Sequence, residues 1–281
     1  MPPSDARATR AERAGVGASG AGSDIGVAGS SGRYVSSAMC GRFTLTTSAA
    51  EVAEHFGLDA VPELAPRYNI APTQSVPVIR AYRLSGEEGG RVLELRYWGL
   101  VPRWSKDASG AARMINARSE TAAEKPAFRD ALQSRRCLVP MDGFYEWKQG
   151  PKRRGGAAKR PHYIQLAQGE LFAVAGLYDS WRSPDGQDLE SVTLLTRAAC
   201  ESLRGLHHRM PVVVAPGGYS AWLDVDVEGD ERTLKAIDPE RGRGLRPRPV
   251  SYRVNSVAHD DAACLDGPDA VQLSLLGDDE L

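Results

Sequence analysis

Val76-Pro77-Val78-Ile79-Arg80-Ala81-Tyr82 and Arg91-Val92-Leu93-Glu94-Leu95-Arg96-Tyr97-Trp98 lie on either side of Leu84-Ser85-Gly86-Glu87-Glu88-Gly89-Gly90. Two runs rich in β-branched and aromatic residues, separated by a polar stretch of turn formers, predict a pair of strands joined by a loop. Working outward, further strands are expected from Arg136 to Met141, His162 to Gln168, Leu171 to Tyr178, Leu189 to Thr196 and Pro211 to Ala215. Ser48-Ala49-Ala50-Glu51 is a capping box opening a short helix, with Val52 and Phe56 on one face and Gly57 as its stop. Short helices also fit Tyr219 to Asp224 and Asp230 to Ile237. The strands are not regularly interleaved with long helices, which argues against a doubly wound parallel sheet. The expected fold is α+β, a single domain built on a curved, barrel-like, mostly antiparallel sheet with short peripheral helices.

The chain has 281 residues and a formal net charge of −1. Residues 1–38 are dominated by Ala, Gly and Ser without apolar periodicity, and are expected to be a disordered extension: either a misassigned start or a removed leader. They lack the charged start and apolar stretch of a secretory signal. Residues 39–258 form the expected catalytic domain. Residues 259–281 hold seven acidic and no basic residues and read as an acidic tail. Without that tail the body is modestly basic, which permits nucleic-acid binding. No apolar run is long enough to span a bilayer. The four cysteines, Cys40, Cys137, Cys200 and Cys264, form no C-x-x-C pair and have no His at zinc spacing. A disulfide framework, a structural metal and a membrane span are therefore not expected, and the location expected is the cytoplasm.

Met39-Cys40-Gly41-Arg42-Phe43 carries the most chemistry. If translation begins at Met39 and the methionine is removed, Cys40 gains a free α-amine. The resulting 1,2-aminothiol captures aldehydes, the amine forming an imine and the thiol closing it to a thiazolidine. Several polar-aromatic segments lie between the expected elements. Arg67-Tyr68-Asn69-Ile70-Ala71-Pro72-Thr73 has a proline that prevents a helix. Tyr97-Trp98-Gly99-Leu100-Val101-Pro102-Arg103-Trp104 presents two indoles near Arg103 and Lys106. Ile115-Asn116-Ala117-Arg118-Ser119-Glu120-Thr121 groups an amide, a guanidinium and a carboxylate, although Asn116 also fits the cap of a helix beginning near Ser119. Asp142-Gly143-Phe144-Tyr145-Glu146-Trp147 sets a carboxylate among three aromatics, where desolvation raises its pKa toward the range useful for proton transfer. Leu206-His207-His208-Arg209-Met210-Pro211 sets an imidazole beside an arginine. From Lys148 to Arg160, six basic residues and three glycines read as a hairpin loop able to follow DNA.

In this order, the motifs at Met39–Phe43, Arg67–Pro72, Trp98–Trp104, Asn116–Thr121, Gly143–Trp147 and His207–Pro211 resemble the SOS response-associated peptidase (SRAP) family, the abasic-site processing proteins. The resemblance runs from Met39 to about Val257. It implies a covalent sensor of abasic sites in single-stranded DNA that acts as a monomer, without cofactor or metal, and associates with the nucleoid when DNA is damaged. Cys40 would form the thiazolidine with the ring-opened sugar, and Asn116 would hold the cysteine or the sugar. Glu146 would serve as acid and base, and His207 would assist proton transfer. Arg42, Arg118 and Arg209 would hold phosphates, Pro72 and Trp104 would shape the DNA path, and Asn69 and Thr196 would belong to the DNA-binding surface. Lyase activity would follow from β-elimination at the imine. Two alternatives remain open on the sequence: a cysteine peptidase using Cys40 with His207 and Glu146 or Asn116, acting on its own leader or on other proteins, and a noncovalent single-stranded DNA-binding module.

Overall fold

Turn residues and caps divide the chain into short elements, most of them strands. In order these are β1 (Phe43–Leu45), α1 (Ala49–Phe56), β2 (Arg67–Ile70), β3 (Ser75–Tyr82), β4 (Gly90–Trp98) and β5 (Asn116–Arg118). Next come α2 (Ser119–Ala122), α3 (Pro126–Ser134), β6 (Arg136–Met141), β7 (Gly143–Arg153), β8 (Gly156–Leu166), β9 (Phe172–Arg182) and β10 (Asp188–Ala198). The last are α4 (Glu201–Arg204), β11 (Arg209–Pro211), β12 (Val213–Val214), α5 (Tyr219–Leu223), α6 (Glu231–Ala236) and β13 (Leu245–Pro249). The computed structural model describes residues 40–83, 89–153, 156–237 and 244–268, all within one unit. The expectations for residues 1–38, for loop residues 84–88 and for 269–281 fall outside the described residues.

The two runs around the polar loop do pair. β3 and β4 form a continuous antiparallel ladder from Ser75↔Tyr97 to Tyr82↔Gly90. β3 also pairs with β6, β6 with β9, and β9 with β10. β10 then returns to β4 in parallel, through Ser191↔Tyr97 and Val192↔Trp98, which closes a ring of five strands. Closure satisfies the ladder on both edges of each of these strands, so the barrel needs few helices to protect it. Val78, Val174, Val192 and Leu194 are buried on one face of this ring, and Leu138 and Leu177 are buried on the other. β5, β11 and β12 add to the outside of the ring. Trp98 is buried with its indole N–H donating to Ile115 O (3.0 Å), so a large apolar group enters the core with its polar atom satisfied. Gly99, which follows it, has φ +145°, and a Cβ there would lie 2.7 Å from Ala111 O; only glycine fits this turn.

A second sheet, in the order β13-β8-β7-β1-β2, carries the candidate site. β1 pairs with β7 through Phe43↔Phe144 and Thr44↔Gly143, and with β2 through Phe43↔Ile70. Phe43 meets Trp98 edge to face at 5.2 Å, which joins this sheet to the barrel. The cap of α1 is as the sequence indicates: Ser48 and Glu51 bond reciprocally and Gly57 ends the helix in the left-handed conformation. None of the described helices is long and apolar enough to cross a membrane.

The structure differs from the sequence reading at several elements. The described part of Lys148 to Arg160 is strand, not loop: β7 runs on to Arg153 and β8 begins at Gly156, and the two pair as a long ribbon, residues 154 and 155 lying outside the described residues. Glycines and lysines hide a pattern that is set by pairing with the neighbouring strand. α3 is unanticipated; Pro126 opens it, and Phe128, Ala131 and Leu132 form its buried stripe beneath an otherwise polar sequence. Asn116 does not cap a helix: it lies in β5, and Arg118 takes the N-cap position of α2 without a side-chain bond. The packed chain also continues past Ala258. Asp260 accepts from the backbone N–H groups of Tyr68 and Asn69 and pairs with Arg67, while Cys264 is buried beside Val254.

Asp260 therefore occupies the open edge of β2 as a further strand would, satisfying donors the sheet leaves over. Asp260→Ala strands those donors and is expected to lower unfolding stability by about 2 kcal/mol. Urea denaturation of the wild type and the variant measures this, and an unchanged midpoint would refute it.

Candidate active site

The pairing of β1 with β7 sets Cys40 and Glu146 side by side. Tyr145 N donates to Arg42 O (3.0 Å), so the ladder continues beyond Phe43 and carries the chain back along β7. Two residues earlier, Cys40 N donates to Glu146 Oε1 at 2.8 Å. Cys40 is fully buried and has φ +39°, a left-handed conformation that a non-glycine residue seldom adopts. The geometry thus directs the cysteine nitrogen onto the carboxylate.

Glu146 is 5 % exposed. Burial raises its pKa to about 7, outweighing the hydrogen bonds from the backbone N–H groups of Cys40 and Trp147 that favour the charged form. Burial, followed by the negative charge of Glu146, also pushes the Cys40 thiol well above its ordinary range. The thiol is therefore held protonated, while the carboxyl is poised to exchange a proton near neutrality.

A second group of expected site residues lies on β5, β10 and β11. Asn116 pairs in register with Leu194, and Arg118 with Thr196. Thr196 is buried and its hydroxyl donates to Ala117 O (3.3 Å). Arg209 donates to both carboxylate oxygens of Glu120 (2.9 and 2.8 Å) and to Thr196 O (2.7 Å). The His207 ring is half-buried, accepts from Arg209 N at 3.2 Å and lies 4.3 Å from the His208 ring. Burial holds its pKa below the ordinary imidazole value, so the ring is neutral at pH 7. Trp98 bridges the two groups, touching Phe43 on one side and bonding to Ile115, next to Asn116, on the other.

The remaining residues divide by what they touch. Arg42 donates to Asn69 Oδ1 and Val254 O (both 2.8 Å) and stacks near Trp147. The Asn69 amide donates to Val254 O, Ser256 O and His259 O. These two side chains clamp the C-terminal segment onto the site. Arg118 is exposed, Pro72 half-exposed and Trp104 60 % exposed. Trp104 borders a cavity of about 220 Å³ shared with Leu100, Lys106 and Arg113. A larger cavity of about 420 Å³, between Glu120, Arg197 and Lys235, includes neither Cys40 nor Glu146 in its lining. Among the described residues no cluster of His, Cys, Asp and Glu suits a metal ion. Asp260 and Asn255, which accepts from Trp147 Nε1 at 2.7 Å, support the site without having stood out in the sequence as part of it. Asp260 is hidden there by the run of acids that follows it.

The elevated pKa of Glu146 has a stability consequence. Its folded value near 7 lies above the ordinary 4.5, so the native state binds more protons in that interval and loses stability as pH rises through it. Glu146→Gln keeps an oxygen for Cys40 N but cannot ionise. It is expected to be more stable than the wild type at pH 8, by up to about 3 kcal/mol, and to match it near pH 4.5. Urea midpoints across this range decide the matter; parallel pH profiles for the two proteins would show that Glu146 titrates normally.

With this geometry in view, likeness to other proteins becomes informative. A Bacteroides thetaiotaomicron protein of known structure superposes with a TM-score of 0.69 at 23 % identity, covering 81 % of this chain and 99 % of that one, a likeness of fold. A phage-related protein of Bordetella bronchiseptica gives 0.58 at 28 % identity over 75 % of this chain and 94 % of its own. The abasic site processing protein YoqW of Bacillus subtilis is 38 % identical over 222 residues, 78 % of this chain and 95 % of that protein. The abasic site processing protein HMCES of Gallus gallus is 31 % identical over 266 residues, 81 % of this chain and 77 % of its own length. Residues 39–257 match the family model described as SOS response associated peptidase (SRAP). This chain belongs to the SRAP family.

Proposed function

We propose that this protein captures abasic sites in single-stranded DNA covalently, through the α-amine and thiol of Cys40. The observation that carries the reading is the 2.8 Å contact between Cys40 N and Glu146 Oε1, with a carboxyl poised at about pH 7. The relatives named as abasic site processing proteins support the choice of substrate. The acting form begins at Cys40, because an amide nitrogen cannot form an imine.

In that form the nitrogen is an amine whose ordinary pKa, about 7.7 to 8.0, leaves a usable unprotonated fraction at neutral pH. Glu146 assists opening of the hemiacetal by proton transfer. The amine attacks the freed aldehyde carbon, Glu146 protonates the departing hydroxyl, and water leaves as the imine forms. The thiol sulfur then adds to the imine carbon, its proton passes to nitrogen, and the thiazolidine closes. The net change is the loss of one water. Asn116 orients the cysteine or the sugar, neutral His207 exchanges protons at the sugar, exposed Arg118 contacts the phosphates, and Arg42 and Arg209, held by protein partners, add positive field to the phosphate border. Pro72 and Trp104 shape its path. Loss of the C2′ proton from the imine would instead break the C3′–O bond, giving a weak lyase activity. All of these groups lie on one chain, so a monomer suffices.

A cysteine-peptidase reading would require a thiolate activated by an imidazole. Here the thiol is pushed upward by burial and by the negative charge of Glu146, the opposite of what an activated thiolate needs. The geometry therefore favours amine chemistry.

Intact mass under denaturing conditions tests the proposal. After incubation with abasic single-stranded DNA, a chain starting at Cys40 is expected to gain the oligonucleotide mass less one water. Noncovalent binding, which weakens steeply with salt, would leave no adduct. Cys40→Ser with a free amine should give an adduct only after borohydride trapping, since the imine cannot close to a thiazolidine. Glu146→Gln is expected to slow adduct formation about 100-fold or more. A stable adduct formed equally by Cys40→Ala would overturn the thiazolidine.

A further inference from the structure

The ribbon made by β7 and β8 leaves the body of the protein in a direction fixed by the site itself. Side chains alternate between the faces of a strand, so Phe144, Glu146 and Lys148 share one face of β7. Their partners in register on β8 are Ile164, His162 and Arg160. Along this face the character changes stepwise. Phe144 and Ile164 are buried in the core, Glu146 meets Cys40, and the next pair, Lys148 and Arg160, carries two positive charges directly opposite one another. The other face is distinct: Tyr145, Tyr163 and Trp147 cluster there, and Gln149 pairs with Lys159.

Two further facts set the ribbon apart. β13 pairs with β8 only from His162 to Leu166, and β1 reaches β7 only at Gly143 and Phe144. Among the described residues, the stretch from Lys148 to Arg160 is therefore laddered only to itself. That stretch holds six basic and no acidic residues. Lys148 lies one side-chain repeat beyond Glu146, about 6.6 Å along the strand. That is close to one nucleotide step along an extended single strand.

We infer that Lys148 and Arg160 grip the DNA backbone one nucleotide from the sugar held at Cys40, so that the strand leaves the site along the Glu146 face of the ribbon. This inference rests on the function proposed above and adds the direction in which the flanking strand runs.

The test uses the full chain and an unmodified single-stranded oligonucleotide, with affinity measured across a range of salt concentrations. Each phosphate neutralised on a single strand contributes a slope of about −0.7 in log K against log salt. K148Q/R160Q is expected to reduce the slope by about 0.7 to 1.4 and weaken binding at low salt, whereas K159Q, on the opposite face, leaves the slope close to that of the wild type. The charge-retaining K148R/R160K should keep the wild-type slope, which separates lost charge from a disturbed ribbon. An unchanged slope for K148Q/R160Q, or an equal loss in K159Q, would overturn the assignment. Because the probe has no aldehyde, loss of slope without any adduct on abasic DNA would sink the covalent reading while leaving this surface in place.

Discussion

A carboxylate that is almost wholly withdrawn from water needs partners, and Glu146 finds them in the backbone nitrogens of Trp147 and Cys40. The second partner fixes the N-terminal edge of the folded body. Cys40 can donate to Glu146 only while β1 stays in register with β7, and that register is secured from several directions. Phe43 is locked against Trp98, Arg42 is tied to Asn69 and Val254, and Asn69 is held in turn by the segment that ends in Asp260. A one-residue slip of β1 would turn Phe43 out of the core and bring a different nitrogen to the carboxylate. The barrel, the second sheet and the C-terminal segment therefore converge on one hydrogen bond.

The same network redistributes the cations expected to bind DNA. Arg42 and Arg209 spend their donors on protein partners, a clamp in the first case and a bidentate carboxylate pair in the second. Their charge still contributes to the local field, but their geometry is set by the fold. Arg118 and Trp104 are exposed, and the ribbon beyond Glu146 carries a concentrated run of charge. In the proposed complex the buried arginines would shape the site, while exposed groups would make the adjustable contacts with the strand. Such a division suits a protein that must hold one nucleotide rigidly and tolerate any sequence around it.

Much of this was legible in the sequence because the signals were local. The β3–β4 pair, the capping box of α1 and β6 each depend on residues near one another in the chain, and an aromatic setting for Glu146 was visible within six residues. What was missed depends on distant partners. Lys148 to Arg160 becomes strand only because β7 and β8 pair with each other, and glycine and lysine conceal that locally. Asp260 reads as one acid in an acidic run until β2 offers it two unpaired donors 191 and 192 residues away. Asn69 and Arg42 look like a DNA-facing pair until the carbonyls of Val254, Ser256 and His259 are brought beside them. The register that directs the Cys40 nitrogen at Glu146 spans 106 residues and has no short-range signature.

The pKa pattern also orders the proposed chemistry. Cys40 has two nucleophiles on one residue, and the site treats them differently. Burial and the adjacent carboxylate keep the thiol protonated, so it is a poor first attacker. An amine at the same position would face a carboxyl able to accept or return a proton near neutrality. As an ammonium it would lower the Glu146 pKa by direct charge attraction, and as a free amine it would let that pKa rise again. Proton transfer between the pair would therefore follow the reaction coordinate. Glu146 would be anionic while the amine is charged, would take up a proton as the amine attacks, and would pass it to the hydroxyl as that departs as water. The thiol would be needed only afterwards, when an adjacent imine carbon makes even a weakly ionised sulfur effective and the nitrogen accepts its proton. A site that lowered the thiol pKa instead would favour sulfur attack and reversible thiohemiacetals. In the proposed reaction the buried carboxylate would thus select both the order of bond formation and the stable product.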